Sequence, residues 1–117
     1  MNKRTVGTAG ESLAAAYLKD RGVRILETNF RCRSGEIDLV CEDEEYLVFA
    51  EVKYRKTPKA GSPLSAVTIQ KQRTICRVAD FYRVRHGIPL SRSIRYDVIG
   101  ICGNEITWIK NAFPHRA

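Results

Sequence analysis

Asp38 interrupts the apolar run Ile37-Asp38-Leu39-Val40, and Glu51 and Lys53 close the run Leu47-Val48-Phe49-Ala50-Glu51-Val52-Lys53. Burying an unpaired carboxylate costs on the order of several kcal/mol, so charges placed in such runs have a partner or a job. Side chains alternate along a strand, so Glu51 and Lys53 share one face and Val52 takes the other. By the same rule Asp38 shares its face with Glu36 and Val40. If the two strands pair through the acidic turn Glu42-Asp43-Glu44-Glu45, Asp38 comes close to Glu51. Two carboxylates in a partly dry cleft repel each other, and a divalent cation removes that repulsion. Carboxylate oxygens and water are the hard ligands that suit Mg²⁺ or Mn²⁺. Lys53 would point its ammonium into the same cleft, to hold a phosphate, to orient water, or to act as base if its pKa is lowered.

The elements that must position these residues follow from periodicity. Thr8-Ala9-Gly10-Glu11 ahead of Leu13 to Leu18 predicts a helix over 9–21, with Thr8 as cap, Glu11 at the third position and Gly22 as its stop. Glu11 shares a face with Ala14, Ala15 and Leu18. Strands are predicted over 23–31, 35–41 and 46–54. The stretch Thr57 to Pro63 is a Pro- and Gly-containing loop expected to be mobile. A helix over 65–86, closed by Gly87 and Pro89, carries Val67, Ile75, Val78 and Tyr82 on its apolar face, with Lys71 on that face near its start. Strands over 94–102 and 105–110, joined at Gly103-Asn104, complete the order αβββαββ. This is an α/β fold, and 117 residues with 44% hydrophobic content make one domain, 1–117.

Composition narrows the function classes. No run of about 18 apolar residues occurs, so neither a membrane span nor a signal peptide is read, and the cytosol is the expected location. Cys32, Cys41, Cys76 and Cys102 lie 9, 35 and 26 positions apart, which gives no zinc spacing and reads as reduced, packed thiols. Residues 1–58 hold ten basic and ten acidic residues, whereas residues 59–117 hold ten basic against only Asp80, Asp97 and Glu105. The net charge of +7 is therefore C-terminal in origin, and a basic surface of this kind attracts polyanions such as nucleic acid.

Asp38, a spacer, and Glu51-Val52-Lys53 resemble the D…E-x-K signature of the PD-(D/E)xK, restriction-endonuclease-like superfamily, with Ile37 standing where that name puts Pro. Glu11 on a helix ahead of the first strand is similar to the pattern of archaeal Holliday-junction resolvases. The whole chain resembles the YraN-like family of small bacterial proteins, through Gly10-Glu11, Tyr17-Leu18, Asn29-Phe30-Arg31, Gly35 to Val40, Val48 to Arg55, Arg95 to Val98, and Trp108 with Asn111-Ala112-Phe113. The resemblance implies a restriction-endonuclease-like core, here a mixed sheet flanked by helices, and metal-dependent nuclease machinery without fixing its substrate; DNA, including branched or structured DNA, is favoured over RNA. It makes Asp38 and Glu51 the ligands of Mg²⁺ or Mn²⁺, Lys53 the catalytic lysine and Glu11 an added acid that reaches the metal through water.

Each residue also has a structural alternative. Glu11 fits a capping box with Thr8; Asp38 fits a buried acid paired with Arg31 or Arg33; Glu51 and Lys53 fit an ion pair on an exposed strand. Glu36 is read as a solvated charge at a strand start. Arg55, Lys56 and Lys59 beside the loop, with Lys71 and Arg73, are the candidates for backbone phosphate contacts, though Lys71 equally suits snorkelling from the apolar face. Asp97 is expected to pair with a neighbouring Arg, and Trp108 and Phe113 to be core or dimer contacts. The same basic face without a metal site would make a non-catalytic nucleic-acid-binding module. Cutting both strands of a duplex would call for a homodimer, since one chain offers one site.

Overall fold

The structure is a computed structural model that describes residues 3–56 and 62–116, with side chains from residue 10 onward. In chain order the elements are α1 (Lys3–Asp20), β1 (Arg24–Cys32), β2 (Gly35–Asp43), β3 (Tyr46–Arg55), a 3-10 turn (Pro63–Ala66), α2 (Ile69–Arg85), β4 (Ile94–Cys102) and β5 (Glu105–Ile109). The five strands form one sheet in the order β1-β2-β3-β4-β5. Neighbours are antiparallel except β3 and β4, which run parallel with α2 as the crossover between them. The predicted αβββαββ order and mixed sheet are what the chain forms.

The sheet is covered on both faces, which is why its central strands are apolar on both sides. Leu47 and Phe49 pack with Ile75, Val78 and Tyr82 beneath α2, while Val48 and Ala50 pack with Ala14 and Leu18 beneath α1. Burying each large apolar side chain contributes about 1.5–3 kcal/mol, and this double coverage lets a short chain close a core.

Two helix starts differ from expectation. α1 begins at Lys3, so Thr8 lies within the helix and does not cap it. α2 begins at Ile69, not at 65, because Val67 adopts an extended conformation to bury its side chain and so ends the preceding 3-10 turn. Thr68 then caps α2, its hydroxyl accepting the Lys71 N–H at 3.1 Å. The mobile loop expected before α2 falls mainly on residues 57–61, which lie outside the described residues together with Lys59.

Asp97 does pair with a neighbouring arginine. Its two oxygens accept from Arg95, from Trp108 Nε1 at 2.8 Å and from the Asn111 N–H at 2.9 Å. Trp108 also meets Tyr17 edge to face, and Phe113 stacks on Tyr96 within the core. All four cysteines are free thiols, and Cys41 and Cys76 are buried. Among the described residues no helix is long and apolar enough to cross a membrane.

Candidate metal centre

The β2–β3 ladder runs from Asp43 opposite Tyr46 as far as Leu39 opposite Ala50. One step further on each strand stand Asp38 and Glu51. There the strands no longer exchange backbone hydrogen bonds, and the Asp38 carboxylate itself accepts the Val52 N–H at 2.8 Å. Both strands stay anchored on their other sides, Ile37 to Phe30 in β1 and Glu51 to Val98 in β4. The site is thus a seam between two held strands, with one carboxylate placed in it.

Glu51 follows Phe49 on the α2 side and is only 5% exposed. Its Oε2 lies 3.7 Å from Lys53 Nζ and 3.6 Å from Lys71 Nζ. Lys53 forms the expected same-face ion pair with Glu51, but Glu51 is buried rather than on an exposed strand. Lys71 is carried in by the first turn of α2 on the face it shares with Ile75, and it aims at the same oxygen rather than outward.

The helical acid also arrives. Carboxylate oxygens of Glu11, Glu36 and Asp38 all lie within 4.8 Å of one another, each residue half-buried. Glu11 is therefore no capping-box residue: α1 starts eight positions earlier, and the side chain points to the sheet. Glu36, read from sequence as a solvated charge, belongs to the cluster and accepts from Arg31 Nε across β1 and β2. Arg31 thus pairs with Glu36 rather than with Asp38.

Electrostatics follow from this crowding. Burial, then the charge of Glu51 and a hydrogen bond with it, push the Asp38 carboxyl from 3.8 up to about 8, against the opposing Val52 N–H. Glu11 is raised by burial and by the Asp38 and Glu36 charges, with a hydrogen bond from Asn29 acting the other way. Such repulsion among hard oxygen donors is relieved by protonation or by a small divalent cation, and the donor set fits Mg²⁺ or Mn²⁺. Glu11, Glu36 and Asp38 could hold one, with Glu51 on the far side of Asp38.

Among the other predicted contacts, Arg73 and Lys56 are exposed, and Arg55 is half-buried at the end of β3 opposite Cys102 of β4. A groove of about 320 Å³ runs beside β1, lined by Asn29, Arg31, Arg85 and His86 with Glu27, and adjoins the cluster through Asn29 and Arg31. Its cations are offset by Glu27 and by the Arg31 pairing with Glu36, so it is not a strong anion site.

Sequence alone gave no role to Gly100, nor to Asn29 beyond its place in the Asn29-Phe30-Arg31 piece of the resemblance. Gly100 lies beside Lys53 in register and leaves room for the 3-10 turn, since a Cβ there would stand 2.3 Å from Pro63 Cγ. Asn29 holds a left-handed backbone with φ 54° inside β1, a conformation that Asn tolerates better than most residues.

The model of the uncharacterised protein family UPF0102 matches residues 10–101, a span that contains Glu11, the seam acids and both lysines. The chain belongs to the UPF0102 family. The UPF0102 protein of Lachnoclostridium phytofermentans is 48% identical over 113 residues, covering 97% of this chain and 96% of that protein. One from Legionella pneumophila is 41% identical over 109 residues, covering 92% of each. Another, from a Janthinobacterium species, is 41% identical over 110 residues, covering 94% of this chain and 88% of its own length. The match runs from within α1 to Ile101 in β4, so the seam and the elements that build it fall inside the shared region.

Proposed function

We propose that this UPF0102 protein is a metal-dependent nuclease that hydrolyses phosphodiester bonds in the cytosol, in DNA rather than RNA, with branched or structured DNA as the favoured class. The observation that carries the reading is the position of Asp38, between Glu51 with its two lysines on one side and Glu11 with Glu36 on the other. The α1-β1-β2-β3-α2-β4 order and the Asp38…Glu51-Val52-Lys53 spacing support placement in the PD-(D/E)xK superfamily.

Asp38 and Glu11, with Glu36 beside them, would hold Mg²⁺ or Mn²⁺, and Glu51, hydrogen-bonded to Asp38, would complete the set from the other side. When bound, such a cation polarises a phosphoryl oxygen and lowers the pKa of coordinated water. Lys53, beside Glu51, holds a phosphate oxygen or orients the attacking water. Lys71 and Arg73 on α2, with Arg55 at the end of β3 and Lys56 and Lys59 following it in sequence, hold the backbone phosphates, giving salt-dependent binding with little reading of sequence. A homodimer would place one such centre on each strand of a duplex.

A second reading has one observation in its favour: two ammonium groups already neutralise Glu51, as they would in a purely structural cluster. On that reading the protein holds nucleic acid without cutting it. Calorimetric titration of Mn²⁺ into the protein with a short DNA duplex, for wild type, Asp38→Asn and Glu51→Gln, separates the two. Saturable binding in the wild type and its loss in both variants is the expected result. Absence of binding to folded wild type overturns the nuclease in favour of the module.

A further inference from the structure

We propose that Asn29 is the positioning residue of this centre: its left-handed backbone delivers Asp38 into the seam and its side chain holds Glu11. The proposal rests on the metal-site reading above only for its metal readout.

Strict alternation would put Ile37 and Leu39, two residues apart, on one face of β2. They are on opposite faces. Ile37 packs with Phe30 and Val40 beneath α2, whereas Leu39 packs with Ala14 and Leu18 beneath α1. The strand therefore turns over at Asp38. The β1–β2 register places Thr28 opposite Leu39 and Phe30 opposite Ile37, so the residue facing Asp38 is Asn29.

Asn29 has φ 54°, and the two other non-glycine residues with positive φ, Glu44 and Asn111, sit in turns. Asn29 alone among the described residues places that conformation inside a strand. The reversals in β1 and β2 are two halves of one distortion: the register shifts between Ile25 and Glu27 but is constant from Thr28 to Phe30, because both strands turn over at the same step. One product is the freed Asp38 carboxylate, which reaches Val52 across the seam. The other is the Asn29 side chain, which hydrogen-bonds Glu11 of α1. A single residue thereby acts on acids from two elements, α1 and β2, whose carboxylates meet at this end of the sheet.

Substitution separates the two contributions. Asn29→Gly keeps the left-handed backbone and removes the amide; Asn29→Ala removes the amide and disfavours the backbone. Two quantities are read on each: Mn²⁺ affinity by calorimetry, and hydrogen-exchange protection of the Val52 amide in metal-free protein by NMR. Asn29→Gly is expected to keep Val52 protection near wild type and to weaken Mn²⁺ binding about tenfold, the scale of lost outer-sphere support. Asn29→Ala is expected to lose Val52 protection by about tenfold or more, relative to neighbouring β3 amides, and to bind Mn²⁺ more weakly than Asn29→Gly. Wild-type Val52 protection in Asn29→Ala would overturn the backbone role. Wild-type Mn²⁺ affinity in Asn29→Gly would overturn the role of the amide. If wild type binds no Mn²⁺, the metal reading fails while the Val52 measurement still decides whether Asn29 positions Asp38; should Asn29→Ala not fold, Asn29→Ser replaces it under the same criteria.

Discussion

Lys53 and Lys71, one from β3 and one from the first turn of α2, converge on the same oxygen of Glu51, at 3.7 and 3.6 Å. Both are partly exposed, so each pair is screened, and either ammonium competes with a cation for that oxygen. Lys71→Met is therefore expected to raise Mn²⁺ affinity about fivefold, equivalent to ~1 kcal/mol for a partly screened pair, while weakening duplex binding. Calorimetry and fluorescence anisotropy on one preparation read both. Lys53→Met is expected to share the gain in metal affinity and, on the proposed nuclease reading, to abolish phosphodiester cleavage.

Asp38 makes the metal-free protein sensitive to pH in a defined direction. Its carboxyl titrates near 3.8 when unfolded and at about 8 when folded, so between those values the folded state binds the extra proton. Stability contributed by this group is present below about pH 4, falls as pH rises toward 8 and levels off above. Urea unfolding in EDTA at pH 5 and pH 8.5 is expected to show a larger loss in wild type than in Asp38→Asn. By the same linkage, Mn²⁺ binding at pH 7 should release protons, read as a dependence of the calorimetric heat on buffer ionisation enthalpy.

Gly100 is a test of how the turn before α2 docks. A Cβ at this position would stand 2.3 Å from Pro63 Cγ and 2.7 Å from Pro63 Cβ, both on a rigid ring. Gly100→Ala is expected to cost about 1–3 kcal/mol in urea unfolding, as overpacking does, while Gly103→Ala, with open space around it, costs through its φ of 61° alone.

Asp97 separates scaffold acids from site acids. It is 1% exposed and accepts hydrogen bonds from Arg95, Trp108 and the Asn111 backbone. Asp97→Ala leaves those donors and the Arg95 charge without their acceptor, and is expected to cost about 3–5 kcal/mol. Mn²⁺ affinity per folded molecule should stay at the wild-type value, in contrast to Asp38→Asn.

The sequence by itself determined the element order, because apolar residues run on without a break in Leu47–Ala50 but recur every three or four positions in Ile75–Tyr82, and because the Gly103-Asn104 turn has a distinct local chemistry. It also marked Asp38, Glu51 and Lys53, since charge inside an apolar strand is visible without coordinates. It misplaced both helix starts, where Val67 burial and the extension of α1 to Lys3 override local capping signals. Only the tertiary structure decided which acids meet. Alternation along β2 puts Ile37 and Leu39 together, but opposite layers of core claim them. The reversal at Asn29 and Asp38 that follows is a property of two strands and two helices packed at once, and no single segment carries it. Glu36 and Lys71 join the centre by packing as well: Glu36, on the strand of Asp38, meets Glu11 only when α1 is laid on the sheet, and Lys71 meets Glu51 only when α2 is.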